Sequence, residues 1–488
     1  MEIDKNKLIS IYSKALESNT ASMFIGAGLS VDSGYVDWVN LLKHPAKDIE
    51  LEVEKEKYDL PTLAQYYVNR NKRAKLEEHI LENYSVLKTP KQNHEIISKL
   101  PLQSIWTTNY DRLIETAYLN EGKVCDVKFD DKHLKRFVTG KDVVLYKMHG
   151  DIQTVEQIII TRDDYQSYEK NHELFREVLE GELVSKTFLF VGFGFNDPNL
   201  NNVLSRLRIL LDDKPREHLC IMRRVSVDDS NELGLDINYL RRKQELQIED
   251  LSRFGINICL INEYHELTEI LTEILNIIRR RTIFISGAAY DYSPFSREHG
   301  IYFITSLSNR LLKSRRGYRV INGFGNGVGE YVLNGALENL DSTKRKKMLD
   351  QLVLLPFPLS LGKEKAETYR KYRESMIQQS GISLFLFGNK FEDGKIVDSN
   401  GMYQEYMVAQ KFGSLPLPIE VTGFMAKSIY DDAILNFNSF TSDTNYIKLL
   451  KECSLDTTLS ITNKADINKL ITKIIKVIDS LNNHESEE

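Results

Sequence analysis

Apolar residues along this chain fall into two patterns, short unbroken runs and longer stretches at helical spacing, and the two alternate. Leu8 to Leu16 carries the helical pattern, and "ASMFI" (Ala21 to Ile25) follows as a short buried strand. Further strands are predicted at "SIWTTN" (Ser104 to Asn109), "VVLYKM" (Val143 to Met148), "QIIIT" (Gln157 to Thr161), "TFLFVGF" (Thr187 to Phe193), "HLCIM" (His218 to Met222) and "INICLI" (Ile256 to Ile261). Most lead into a helical pattern. A parallel connection has to cross over its sheet, so this alternation predicts an α/β fold with a mostly parallel sheet covered on both faces. Between about Glu52 and Leu100 the pattern is polar and helical, which predicts a small helical insertion whose tyrosines serve packing.

The pattern then restarts. "HELTEILTEILNII" (His265 to Ile278) closes the first α/β domain, and "TIFISGAA" (Thr282 to Ala289) opens a second, with further strands at "YRVINGFG" (Tyr318 to Gly325), "LVLLPFP" (Leu352 to Pro358), "ISLFLFG" (Ile382 to Gly388) and "LPIEVTG" (Leu417 to Gly423). The expected division is 1–281 and 282–488, two Rossmann-like domains.

Composition narrows the field. The mix of 42% hydrophobic and 27% charged residues is that of a globular protein with sizeable cores. A net charge of −6 with both signs interspersed gives no sign of a general nucleic-acid binder, and the basic runs "RRR" (Arg279 to Arg281) and "KRKK" (Lys344 to Lys347) read as solvated helix faces. Cys125, Cys220, Cys259 and Cys453 form no C-x-x-C pair, so neither a zinc site nor a disulfide framework is expected, and no metal is assigned. No apolar run reaches the ~18 residues that cross a bilayer, and the N-terminus lacks a signal-peptide pattern, so the expectation is a cytoplasmic protein without a membrane partner.

Candidate chemistry gathers at strand ends. "GAGLS" puts Gly26 and Gly28 in the first two positions of a G-x-G-x-x-G turn with Val31 in the third, a loop whose backbone suits a pyrophosphate. "TTNYDRL" (Thr107 to Leu113), "KMHGD" (Lys147 to Asp151) and "GFGFNDPNL" (Gly192 to Leu200) each end a predicted strand with polar residues. Singly, Asn109 reads as a helix cap, His149 as a satisfied strand-end histidine, and Asn196 with Asp197 as a helix start. Together, at the ends of one sheet, they describe a shared site. In the second half, "SGAAY" (Ser286 to Tyr290) and "NGFGNGVGEYVLNGAL" (Asn322 to Leu337) place Gly323, Gly325, Gly327 and Gly329 alternately before a helix. Such a run offers N–H groups to an anion, or simply permits close packing. Arg370, Lys371, Arg373 and Lys390 are the nearby cations.

"GAGLS", "TTNYDRL" and "HGD", in this order, resemble the glycine loop, the T-x-N-x-D segment and the catalytic His-Gly of sirtuin-like NAD-consuming domains, over roughly Asn6 to Ile278. That resemblance implies NAD as substrate, held by Gly26, Ala27, Gly28, Ser30, Asp111, Gly192, Asn196 and Asp197. "SGYVDW" (Ser33 to Trp38) stands where a sirtuin deacylase has G-I-P-D-F-R, and the four-cysteine ribbon is absent, which argues against protein deacylation. The nicotinamide of NAD is a pyridinium, so it leaves as a neutral group and needs no general acid. What the reaction needs is a held sugar, stabilisation of an oxocarbenium-like state and an acceptor. Asn109 is assigned to hold the ribose or the attacking water, and His149 to take a proton from either. Asp111 orients the Asn109 loop, bonds a ribose hydroxyl or caps a helix.

The second half resembles a SLOG domain, a nucleotide-binding fold related to phosphoribohydrolases. "GNKFEDGKIVDSNGMYQEY" (Gly388 to Tyr406) lacks that family's catalytic P-G-G-x-G-T-x-x-E, with Glu405 in the place of its glutamate, which implies binding without cleavage. A sirtuin-like half joined to a SLOG half is similar to the effectors of Thoeris anti-phage defence. The resemblance implies an NAD glycohydrolase switched on by a cyclic ADP-ribose isomer from a TIR-domain partner, with ligand contacts at Ser286, Gly287, Gly323, Arg373, Lys390 and Glu405. It also implies a homo-oligomer, commonly a tetramer. An NAD-dependent protein deacylase and a non-catalytic nucleotide sensor are the competing readings.

Overall fold

The computed structural model describes residues 1–488 except 57–58, 196, 212–214, 315, 339–350, 359–364, 441–444, 454–460 and 483–488, so Asn196 and the Lys344 to Lys347 run lie outside the described residues. The chain forms two compact units, Met1–Leu275 and Asn276–Glu488, each of α/β architecture.

The first unit is built on a seven-stranded sheet in which every pairing is parallel. Its strands are β1 (Ala21–Ile25), β2 (Ser104–Thr107), β3 (Cys125–Lys128), β4 (Val143–Lys147), β5 (Thr187–Val191), β6 (His218–Arg223) and β7 (Ile256–Ile261), in the order β3-β4-β2-β1-β5-β6-β7. β1 and β5 are buried at every position, as strands covered on both faces should be. Because the order reverses at β1, its C-terminal end and those of β2 and β5 splay around a crevice, which is where open parallel sheets take their ligands.

Two elements depart from the hydrophobic pattern. "CDVK" forms edge strand β3 although it alternates with charge, because Asp126 and Lys128 are both buried and pair with each other at 2.9 Å. "QIIIT" is not a strand: Ile152–Gln157 is a 3-10 helix, and Ile158 and Ile160 bury themselves in the core of the helical insertion instead of in the sheet. That insertion, with helices Trp38–Asp48, Leu60–Asn71 and Arg73–Tyr84, has its own apolar centre around Leu42, Leu63, Tyr67, Leu76 and Ile80. Asp37 and Asp59 cap the first two of these helices, accepting from Asn40 N and Thr62 N.

The second unit carries β8 (Thr282–Ala288), β9 (Arg319–Asn322), β10 (Leu352–Leu354), β11 (Ile382–Phe387) and β14 (Leu415–Pro418) in the parallel order β10-β9-β8-β11-β14. Strand β8 again marks the reversal. A hairpin of β12 (Asn389–Glu392) and β13 (Lys395–Asp398) follows β11 in a polar stretch that hydrophobic patterning passes over. All four cysteines are free thiols. Among the described residues no helix is long and apolar enough to cross a membrane, and no cluster of three or more His, Cys, Asp or Glu is arranged to hold a metal.

Candidate active site

The end of β2 fixes the first functional group. Thr107 Oγ1 donates to Ile25 O at 2.8 Å and accepts from Asn109 N at 3.0 Å, which turns the chain so that Asn109 faces β1. Asn109 Nδ2 then donates to Gly26 O (3.1 Å) and Ser30 Oγ (3.0 Å), while Ser30 Oγ donates to Asp111 Oδ2 (2.7 Å). With both bonds made through nitrogen, Asn109 Oδ1 is buried and has no partner within the protein. A buried carbonyl left open in this way carries a desolvation cost of ~1–3 kcal/mol, which an arriving hydroxyl or water would relieve.

Lys147, the last residue of β4, is a residue that sequence reasoning missed. It is wholly buried, and its ammonium reaches Asp111 O (2.6 Å), Tyr110 O (3.1 Å), Asp151 Oδ2 (2.6 Å) and Glu115 Oε1 (3.2 Å). It therefore ties the loop bearing Asn109 to the loop bearing His149. Burial works against its charge, but Glu115 and Asp151 outweigh that and hold the ammonium above its ordinary pKa. The signal was available: a lysine inside the apolar run "VVLYKM" has to be paired.

His149 follows two residues later, before Gly150, whose positive φ of 89° and whose close pass to Gln157 O both call for glycine. His149 Nε2 stands 3.0 Å from Asp197 Oδ2, and both side chains are buried. Asp197 also accepts from Leu200 N (2.8 Å) and from the Tyr165 hydroxyl (3.1 Å). Burial pushes the Asp197 carboxyl up; the charge of His149 and these donors push it down harder, so it lies below its ordinary range.

Asn109, Asp111, His149 and Asp197 line one cavity of about 400 Å³, together with Ala27, Ser30 and Gly192. Its other wall comes from the helical insertion, where Trp38, Leu41, Leu60, Pro61 and Tyr84 face in, so Tyr84 is more than packing. Gly26 and Gly28 do not reach the wall. Their N–H groups donate to Val191 O (2.9 Å) and Gly192 O (3.1 Å), and a Cβ on Gly26 would sit 2.3 Å from Gly192 O. The two glycines thus let the loop after β5 cross the loop after β1, and their own N–H groups are spent on it.

In the second unit, Ser286 Oγ donates to Glu405 Oε2 at 2.5 Å, and Arg373 Nε lies 3.9 Å from Glu405 Oε1. Arg373 also lies over the Phe357 ring at 5.3 Å, and Phe357 abuts Gly323, where a Cβ would meet it at 3.2 Å. Four expected residues thus converge, with Gly287 beside Ser286. Lys390 stands apart, half exposed and paired with Glu392 at 2.7 Å. The expected anion cradle is altered. A Cβ at Gly325 or Gly327 would sit 2.1 Å from Gly287 O or 1.9 Å from Ala289 O, and the Glu330 carboxylate already accepts from Gly327 N at 3.2 Å. Close packing and an internal carboxylate occupy what the glycine pattern reserves for a phosphate.

Comparison with known proteins agrees with this two-part architecture. Residues 103–247 match the SIR2-like domain family, and residues 266–481 match the Sir2- and TIR-associating SLOG family. The chain is 38% identical over 490 residues to NAD(+) hydrolase ThsA of Cytobacillus dafuensis, covering 99% of this chain and 97% of that protein. It is 40% identical over 488 residues to NAD(+) hydrolase ThsA of Enterococcus faecium (98% and 99% covered). To NAD(+) hydrolase ThsA of Bacillus cereus (strain MSX-D12) it is 40% identical over 477 residues, with 97% of each chain covered.

Proposed function

This chain belongs to the ThsA family of NAD(+) hydrolases, and on that footing we propose that its first unit cleaves NAD to nicotinamide and ADP-ribose with Asn109 and His149 as the catalytic residues. The observation that carries the reading is the open Asn109 Oδ1 on the same cavity as His149. NAD is the substrate, and its ribose meets both groups. Asn109 accepts from a ribose hydroxyl or the attacking water, with its amide orientation set by Gly26 O and Ser30 Oγ. The C–N bond to nicotinamide breaks with the electron pair leaving on the pyridinium nitrogen, so the leaving group departs neutral. Water adds to the sugar carbon and His149 takes its proton. The apolar wall from the helical insertion keeps bulk water from the oxocarbenium-like state. Asp111, already accepting from Ser30 Oγ and Leu113 N, steadies the Asn109 loop.

The second unit, in this proposal, binds a cyclic ADP-ribose isomer made by a TIR-domain partner, through Ser286, Gly287, Gly323, Arg373, Lys390 and Glu405, and binding raises NAD turnover as part of anti-phage defence in the cytoplasm. The active assembly is a homo-oligomer, a tetramer or larger. Coupling of this kind requires that the ligand bind the active state more tightly than the resting one.

Chromatography of NAD with the full chain, with and without such isomers and without any acyl peptide, tests both halves. Nicotinamide and ADP-ribose released only with an isomer present is the expected result. Consumption only with an acyl-lysine peptide would replace the reading with deacylation, and NAD recovered intact under every condition would favour a sensor.

A further inference from the structure

By sequence Asp197 is a helix cap and a substrate contact, and it does cap the helix Pro198–Leu210 through Oδ1. Its second oxygen is aimed elsewhere. Oδ2 lies 3.0 Å from His149 Nε2, close enough for an ion pair though not aligned as a hydrogen bond, and accepts the Tyr165 hydroxyl at 3.1 Å, with the Tyr165 ring edge-on to the imidazole at 5.4 Å between centroids. All three side chains are buried. A carboxylate held at both oxygens by a helix N-terminus and a phenol cannot swing away, so its direction toward the imidazole is set by the fold.

Resting on the reading of His149 as the base, we propose that Asp197 is its positioning residue: it stands against the buried imidazole and balances the positive charge that appears when His149 takes the proton, while Tyr165 fixes Asp197. Once His149 has taken the proton both ring nitrogens carry a hydrogen, so the cationic Nε2–H lies against the carboxylate whichever nitrogen received it. No group is oxidised or reduced; the proton lost by water or hydroxyl resides on His149 and is released to solvent after turnover. The other titratable groups facing His149 do not duplicate this role. Tyr165 spends its hydroxyl on Asp197, Asp111 is engaged by Ser30 and Leu113 N across the cavity, and the nearby imidazole of His172 is disfavoured as a cation by burial first and by His149 in part.

The test is Asp197→Asn in the full chain, because asparagine keeps the cap and the size and removes the charge. Steady-state NAD cleavage is measured across pH under conditions where the unsubstituted chain turns over, beside His149→Ala. The expected result is a fall in kcat of about tenfold or more with KM little changed. The acid limb of the pH profile should also move to lower pH, because the cationic imidazole has lost its counter-charge. A wild-type kcat and pH profile would overturn the proposal, as would a raised KM with kcat and profile unchanged, which would return Asp197 to substrate binding. Retained activity in His149→Ala would instead remove the underlying reading. Should Asp197→Asn fail to fold, Tyr165→Phe decides. Without the phenol the carboxylate is more basic and favours the cation more, so the acid limb moves to higher pH, and an unmoved limb overturns the proposal.

Discussion

The two units solve the same topological problem in different ways. Each has a parallel sheet whose order reverses at its first strand, β1 or β8, and each follows that strand with small residues. In the first unit the crevice opens into a cavity of about 400 Å³ with a polar oxygen left unpartnered. In the second, the corresponding place holds Glu405 bonded by Ser286 with Arg373 3.9 Å away, glycines packed against backbone, and an internal carboxylate on Gly327 N. One site is a chamber with an open acceptor, Asn109 Oδ1; the other is packed more closely and leaves a donor, Arg373 Nε, without a hydrogen-bond partner. That difference suits a chemical step in the first, and in the second a ligand that must exchange internal contacts for its own.

The strongest way to break this contrast is Asn109→Ala. Removing the open carbonyl should lower NAD cleavage by at least about 100-fold, read by chromatography on a variant whose circular dichroism is unchanged. Activity near wild type would deny that the unpartnered oxygen matters.

Next comes the comparison of a buried cation with a part-buried one. Lys147→Met strands Asp151 and Glu115 and should cost about 3–5 kcal/mol, read as lost hydrogen-exchange protection in the first sheet. Arg373→Met should cost the second sheet clearly less, because Arg373 only approaches Glu405 at 3.9 Å whereas the Lys147 ammonium is bonded to Asp111 O, Tyr110 O, Asp151 and Glu115. It should nevertheless lose the response to cyclic ADP-ribose isomers. Equal costs would mean that the second cluster supports its sheet as strongly as the first.

The carboxyls give opposite pH signs. Asp197 is lowered in the folded state, so it contributes stability above the ordinary carboxylate range that is lost as pH falls through its folded value. Glu405 is raised, chiefly by burial and despite Ser286 and Arg373, so its contribution is present below the unfolded value and is lost as pH rises through the folded one. At neutral pH, Asp197→Asn should therefore destabilise, and Glu405→Gln should be neutral or stabilising, by unfolding at pH 5 and about pH 7. The same sign from both would erase the distinction. The smallest effect is expected for Lys390→Ala: with its ion pair half exposed, stability should change by no more than about 0.5 kcal/mol. A larger loss would mean Lys390 is built into the fold.

Much of this was readable in advance where one local rule governs. Continuous apolar runs marked β1, β5, β8 and β11 because both faces of these strands are covered. Asn109 and His149 could be expected to share a crevice because both end parallel strands of one sheet, and both line the same cavity. Patterning failed where burial and secondary structure part company. Ile158 and Ile160 are buried without a sheet partner, and β3 is a strand in spite of its charges.

The amino-acid order alone therefore determined two parallel sheets, their small-residue turns and the residue types that could act on NAD, since hydrophobic period and turn chemistry are local properties. Which donors remain free was decided only by the tertiary structure. Gly192 crossing Gly26, Lys147 joining two loops, Tyr84 closing the cavity and Asp197 meeting His149 are contacts between residues far apart in the chain or set on different elements. Hydrogen bonding is a competition for partners in space, and sequence spacing does not say who wins it.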